Sequence, residues 1–148
     1  MFSPDQFLDM QITEPNDTET LQVPVGEYTA VVGEVKVRTW QSKDDPSKAG
    51  LALDLSWELD DQDVKSYMDR DKVTVKQGIM LDLTESGGLD FGKGRNASLG
   101  RLREALNLNM PGQPFAFSML TGRVGKVSVT HRIAKDALFA EIRNVARA

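Results

Sequence analysis

Three strand-like runs, one helical run and two further strand-like runs follow one another along this chain of 148 residues. The strands are expected at Glu27–Trp40, Leu51–Asp60, Lys72–Thr84, Val124–Ile133 and Leu138–Val145. The second run is the clearest, because leucines and Trp57 alternate with polar or small residues, which is typical of a strand with one buried and one wet face. The helix is expected to begin at Asn96 as N-cap and to end before Pro111.

Details of the first and last strands support an antiparallel sheet that bends strongly. The first strand is long, and Gly33 in its middle predicts a β-bulge. Its buried side is predicted from the parity of its valines, Val31, Val35 and Val37. A tight turn at Lys135 and Asp136 is expected between the last two strands. The OB fold has this order of elements: three strands, a helix and two more strands. We therefore predict a mainly β, five-stranded barrel of that type.

Composition and length fit one ordinary soluble domain. The chain has no cysteine, which excludes disulfides and thiolate metal sites. The N-terminus lacks the basic and apolar regions of a leader, and no apolar run approaches the length of a membrane span. We therefore expect a cytoplasmic protein that does not associate with membranes.

The net charge of -4 conceals a polarity along the chain. Residues 1–63 contain 14 acidic and 4 basic residues, whereas residues 64–148 contain 8 acidic and 14 basic ones. An acidic total does not argue against a nucleic-acid ligand, because a local basic surface is what attracts phosphate. Solvated strand faces would explain the same charges, so charge alone leaves both interpretations open.

An acidic arm, residues 1–22, precedes the predicted barrel domain of residues 23–148. A short helix is predicted in the arm from an N-cap, a proline at the first helical position, a capping-box glutamine and a hydrophobic staple: Ser3, Pro4, Gln6, and Phe2 with Phe7. The rest of the arm is polar and reads as a linker. Seven acidic residues precede the first basic one, Lys36. The arm is thus a candidate to compete for a basic groove or to dock partner proteins.

A glycine-rich stretch and the single histidine resemble parts of catalytic motifs, but neither is predicted to be catalytic. Gly87, Gly92 and Lys93 have the spacing of a phosphate-binding loop, but Gly94 stands where such a loop carries the Ser or Thr that binds magnesium. The single histidine, His131, lies in a predicted strand, where a half-buried structural role is favoured over that of a lone general base. We predict no catalytic residue and no cofactor.

Clustered aspartates are the remaining candidates for metal chemistry, as in a metal-dependent nuclease: Asp44, Asp45, Asp60, Asp61 and Asp63. They lie in loop-like stretches without the spacing of a calcium loop, which favours solvated turns. We predict no metal site.

Basic residues occupy those alternate positions of the strands whose side chains are predicted to face outward. The predicted phosphate contacts are Lys36, Arg38, Lys72, Lys76, Arg123, Lys126, Arg132 and Arg143. A cationic groove of this kind, with exposed aromatic side chains on which bases stack, is what single-strand binding requires.

Trp40 is the leading stacking candidate, because it is the last of the alternate, outward-facing positions of the first strand, which are otherwise polar. Phe139 shares the outward parity of the last strand and is added to the predicted interface. Tyr67 and Phe91 are weaker candidates. Trp57 falls in phase with the leucines of its strand and is predicted to be core, as are the packing aromatics Tyr28, Phe115 and Phe117.

Two segments resemble the small single-stranded-DNA-binding proteins of tailed bacteriophages, long grouped as a family of unknown function. They are Val23–Ala30 (Val-Pro-Val-Gly-Glu-Tyr-Thr-Ala) and Leu120–Val129 (Leu-Thr-Gly-Arg-Val-Gly-Lys-Val-Ser-Val). The resemblance implies an OB fold that coats single-stranded DNA in phage replication or recombination, inside the host cytoplasm and without catalysis. It implies replication or recombination proteins as partners, although the acidic C-terminal tip common in such binders is absent from Ile142–Ala148.

The expected function is therefore non-sequence-specific binding of single-stranded DNA. The alternative is a barrel that serves as a protein-interaction module, docking on a host or replisome protein, since fold does not fix function. A homo-oligomer is compatible with either.

Overall fold

A computed structural model describes residues 3–18 and 20–148 of the chain. Its strands are β1 (Gly26–Gln41), β2 (Ala49–Leu59), β3 (Thr74–Met80), β4 (Val124–Ala134) and β5 (Ala137–Arg147). They form one antiparallel sheet in the order β3-β2-β1-β4-β5. All five predicted strands are confirmed. The third is shorter than predicted, because the chain beyond Met80 leaves the ladder.

The sheet is open between its two edge strands. Within the described ranges no ladder joins β3 to β5, although some of their Cα atoms lie within 8 Å of each other. The protein is thus mainly β, with a strongly bent sheet rather than a closed one.

Short helices connect or precede the strands: α1 (Pro4–Leu8), α2 (Gln62–Met68), α3 (Ala97–Ala105) and a 3-10 turn (Phe117–Leu120). The arm helix is confirmed, but the Ser3 side chain makes no capping hydrogen bond. Its predicted staple partner Phe2 lies outside the described residues. The central helix is confirmed and follows Asn96.

α2 contradicts the prediction of a loop at the aspartate cluster. Asp61 is its N-cap, and the carboxylate accepts a hydrogen bond of 2.9 Å from the Val64 amide. Asp69 ends the helix in the left-handed conformation, with φ of 53°. At least one aspartate of that cluster therefore has a structural role as a helix cap.

The predicted bulge in β1 is confirmed, and it reverses the parity of the strand. Val32 lies opposite Trp57, but Val35 is the next paired residue and lies opposite Leu55. Two residues, Gly33 and Glu34, are therefore accommodated between them. The buried side of β1 before the bulge is that of Val32, so the prediction that Val31 shares the face of Val35 was wrong.

A second bulge lies where β4 and β5 pair. Ser128 is opposite Asn144 and Val129 is opposite Ile142, so Arg143 has no partner in the ladder. Arg143 is exposed, as predicted, but it lies at this bulge and not in the regular alternation that the prediction assumed. The turn at Lys135 and Asp136 is confirmed, with both residues at positive φ, 50° and 62°.

The core lies between the concave side of the sheet and α3. Trp57 is fully buried, as predicted, and its indole N–H donates to the Gln77 side-chain oxygen at 2.8 Å. Around it lie other buried residues of the sheet and of the α3 region: Leu53, Leu59, Leu99, Leu102, Leu106 and Val127. Tyr28, Phe115 and Phe117 pack at its margin, which confirms their structural assignment.

Candidate nucleic-acid interface

Three predicted side chains form a row on the outer face of β1, after its bulge. Lys36, Arg38 and Trp40 alternate along the strand, and their register partners on β2 are Asp54, Ala52 and Gly50 respectively. β3 continues this face with Lys76, Gly78 and Met80, opposite Ser56, Asp54 and Ala52. Between the cationic row of β1 and β3, this face of β2 carries three small residues and the Asp54 carboxylate, and we call the whole face the outer trough. Its residues are Lys36, Arg38, Trp40, Gly50, Ala52, Asp54, Ser56, Lys76, Gly78 and Met80.

The outer trough runs into a groove of about 710 Å³ at the open side of the sheet, which we call the seam groove. Four predicted residues line it: Lys36, Lys76, Arg132 and Phe139. Its floor includes apolar residues from three strands, among them Leu55, Val75 and Ile142. The groove thus joins the β1–β3 surface to the tip region of the β4–β5 hairpin.

The predicted contact residues divide into three groups. Six lie along the outer trough and the seam groove: Lys36, Arg38, Trp40, Lys76, Arg132 and Phe139. Arg143 lines a separate, smaller cavity that shares three residues with the seam groove. The remaining three, Lys72, Arg123 and Lys126, do not line either cavity.

Local contacts explain where two of those three basic residues lie. Lys126 is on β4 opposite Thr29 and Ala146, and its ammonium lies 3.8 Å from the Glu27 carboxylate. Arg123 precedes β4 and donates from Nε to the Met119 carbonyl at 3.3 Å.

Acidic partners hold three of the interface cations in ion pairs. Lys36 lies 2.9 Å from Glu34, Arg38 lies 2.6 Å from Asp54, and Arg132 lies 3.0 Å from Glu141. The seam groove is consequently only slightly positive, with four basic and three acidic lining residues: Lys36, Arg70, Lys76 and Arg132, and Glu34, Asp54 and Glu141. A phosphate that binds Lys36 or Arg132 here must compete with a carboxylate, whereas Arg70 and Lys76 have no ion pair within the described ranges.

Glu34 shows the electrostatics of this arrangement. The hydrogen bond from Lys36 and the charge of that ammonium lower the pKa of the Glu34 carboxyl, and the charge of Lys76 adds to the effect. The same pairing raises the pKa of Lys36. Both groups are therefore charged at neutral pH, and each stabilises the ionised form of the other.

Trp40 lies over a glycine instead of projecting freely from the strand end. A Cβ placed on Gly50 would lie 3.0 Å from the Trp40 indole nitrogen and 3.2 Å from Cε2. The ring is half-buried, and its N–H is buried without a hydrogen-bond partner among the described residues. Gly50 thus provides a seat that holds the indole against β2.

The end of the arm forms one wall of the seam groove. Residues 20–23 line it, and two hydrogen bonds attach them to the β4–β5 hairpin. The Ala140 amide donates to the Gln22 side chain at 3.0 Å, and His131 Nε2 lies 2.6 Å from the Val23 carbonyl oxygen. His131 is half-buried, as predicted, and anchors the arm beside the groove.

Sequence reasoning missed several residues of this surface. Arg70 lines the seam groove from the segment after α2, and Arg101 of α3 lines the smaller cavity with Arg143. Gly50, opposite Trp40, and Gly78, opposite Asp54, were a usable signal, because a glycine inside a strand often marks a close approach of another group.

Other kinds of site receive no support from the described part of the chain. Within residues 3–18 and 20–148, no three or more Asp, Glu or His side chains are grouped so that they could hold a metal ion. No helix there combines the length and apolar character needed to cross a membrane.

Comparison with known proteins adds no relative. No protein-family model matches the sequence, and no curated protein does so either.

Proposed function

We propose that this protein binds single-stranded DNA along the outer trough and the seam groove, without sequence specificity and without catalysis. The observation that carries the proposal is the continuity of these two surfaces. They bring Trp40, Arg38 and Lys36 of β1 together with Lys76 of β3 and with Arg132 and Phe139 of the hairpin. Cations that follow a strand's phosphates and aromatic faces that accept its bases are the two requirements of such an interface.

An OB-type topology is part of the proposal. β1 pairs with both β2 and β4, and the edge strands β3 and β5 approach each other where a barrel would close. α3 lies between β3 and β4 in the chain and contacts β5. OB folds bind oligonucleotides on the face of their second and third strands and with the adjoining loops, which is where the outer trough lies.

The phage family is the biological setting that we propose, supported by the two resembling segments Val23–Ala30 and Leu120–Val129. The first segment contains the start of β1, and the second contains the start of β4. These two parts pair with each other in the ladder at the centre of the sheet. In that setting the protein would coat single strands during replication or recombination in the host cytoplasm, and proteins of those processes would be its partners.

A titration with oligo-dT and a matched duplex, at several salt concentrations, tests the proposal. We expect oligo-dT to bind more tightly than duplex and its affinity to fall with salt, because phosphate binding releases counterions. Equal affinity for the duplex, or the absence of salt-dependent binding, would overturn the proposal.

A protein-interaction module is the second candidate, favoured by the exposure of Phe91. This side chain is 84% exposed at the loop before α3. The loop is held by the Asn96 amide group, which donates to the carbonyls of Asp82 and Asp90 at 2.8 and 3.0 Å. Loss of a captured partner in Phe91→Ala, with oligo-dT affinity unchanged in Trp40→Ala, would support this second function over the first.

A further inference from the structure

A small cavity of about 170 Å³ lies where β3, α3 and β5 meet. It shares Gln77, Gly78 and Ile142 with the seam groove, so the two are neighbours along the same open side of the sheet. Arg101 from α3 and Arg143 from β5 both line it. Arginines from two different elements therefore line one cavity at the end of the proposed DNA path.

The charge of this cavity differs from that of the seam groove. Among the described residues that line it, two are basic and none is acidic. In the described chain no carboxylate lies within ion-pair distance of either arginine, whereas Lys36, Arg38 and Arg132 each have one. A phosphate can therefore bind here without displacing a competing carboxylate.

The local backbone explains why Arg143 reaches this place. The bulge between Ile142 and Asn144 leaves Arg143 outside the ladder, and bulges commonly redirect a side chain. On the opposite wall, Arg101 donates to the Ser98 hydroxyl at 3.3 Å, one turn earlier in α3. The arginines are exposed, and their planar donor sets suit phosphate oxygens.

We infer that Arg101 and Arg143 form a phosphate-binding site for a phosphodiester of the bound single strand, next to the seam groove. This inference rests on the proposed function. It adds an anchor point that is distinct from Trp40 and from the ion-paired cations, and it extends the proposed path of the strand along the open side of the sheet. In this proposal, α3 and the bulge of β5 each supply one arginine of the phosphate-binding site.

The test compares Arg101→Gln, Arg143→Gln and the double variant with the intact chain, using oligo-dT across a salt series. For single strands the slope of log affinity against log salt is about 0.7 per neutralised phosphate. Each single variant should lower that slope by about 0.7 and weaken binding about fivefold near 0.1 M salt. Arg147→Gln is the matched control, because Arg147 is an exposed β5 arginine outside both cavities.

The possible outcomes separate this inference from the proposed function. If the intact protein binds oligo-dT and the double variant binds with the same slope and affinity, the phosphate site is wrong and the proposed function stands. If the intact protein fails to bind oligo-dT, the proposed function fails and the site fails with it. A loss shared equally by Arg147→Gln would also overturn the site, since it would indicate a general charge effect. Thermal unfolding of each variant checks that the fold is intact.

Discussion

At the scale of single residues, the seat of Trp40 is the most distinctive feature of the proposed interface. One side of the indole lies against β2 at Gly50, where a Cβ would crowd the ring at 3.0 to 3.3 Å. A ring held in this way loses little conformational freedom when a base stacks on it, which favours binding. The small residue is therefore as much a part of the stacking platform as the aromatic one.

Gly50→Ala tests that role. The new methyl group would lie 3.0 Å from the indole nitrogen, so the ring must shift, and we expect weaker oligo-dT binding and a changed Trp40 fluorescence. Gly100→Ala is the matched control, because nothing lies within 4 Å of a Cβ there. It should leave binding unchanged and raise the unfolding free energy by about 0.5–1 kcal/mol, as expected for Gly to Ala within a helix. Unchanged binding and fluorescence in Gly50→Ala would contradict the seat.

Glu34 predicts how binding depends on pH. In the free protein Lys36 lowers the pKa of this carboxyl. When a phosphate takes the Lys36 ammonium, that stabilisation is lost and the pKa of Glu34 rises, so binding is accompanied by proton uptake. By linkage, affinity for oligo-dT should increase as pH falls through the range in which Glu34 is protonated.

Glu34→Gln removes the titrating group and the competing charge together. We expect this variant to bind oligo-dT a few-fold more tightly at neutral pH and to show a smaller increase in affinity on acidification. Fluorescence titrations between about pH 3 and pH 7 measure both effects, because the pKa of the Glu34 carboxyl in the free protein lies below its ordinary range. Weaker binding in the variant would show that Glu34 supports the bound strand instead of competing with it.

At the scale of elements, the arm is anchored next to the site. Residues 4–18 are exposed, whereas Gln22 and Val23 are bonded to the β4–β5 hairpin. The acidic part of the arm is thus tethered at the wall of the seam groove, where its charge opposes that of a DNA strand. We expect it to weaken DNA binding.

Deleting residues 1–18 tests the effect of the arm without removing its anchor. Affinity for oligo-dT should increase severalfold, and more at low salt than at high salt, because the opposing charge is screened. A variant with Asp5, Asp9, Glu14 and Asp17 changed to asparagine or glutamine controls for the loss of chain. Unchanged affinity in both would contradict competition by the arm and leave partner docking as its role.

The elements also show what sequence patterns can predict. Alternation along β2 predicted its buried side and the core position of Trp57, because every second side chain of a regular strand lies on the same face. Simple alternation failed at Val31 and did not predict the bulge at Arg143, because a bulge depends on how the strand pairs with its neighbour. α2 was missed although Asp61 is a typical N-cap, because its aspartates were interpreted as a solvated turn.

The convergence of distant residues is harder to predict than the strands. Arg101 and Arg143 line one cavity because α3 lies against β5, and Arg70 lines the seam groove from the segment after α2. No spacing in the sequence records these contacts. Arg38 illustrates a related limit of parity, which placed it outward correctly but could not reveal its ion pair with Asp54.

At the scale of the whole molecule, the open side of the sheet is the feature from which the proposed function follows. It creates a groove between β3 and β5 and joins that groove to the outer face of β1–β3. The acidic total charge is compatible with DNA binding, because the carboxylates that face the groove are paired with its cations. Such pairing should make binding weaker than on an unopposed basic surface, and its salt dependence smaller, because each freed carboxylate takes up a counterion.

The most direct test of the central claim compares two pairs of lysines. Lys36→Ala with Lys76→Ala removes two cations of the seam groove, and Lys72→Ala with Lys126→Ala removes two lysines that do not line it. Oligo-dT titrations across a salt series should show a slope lower by about 1.4 and much weaker binding for the first variant, with little change for the second. Equal effects of the two variants, or an unchanged slope in the first, would contradict a DNA path through the groove.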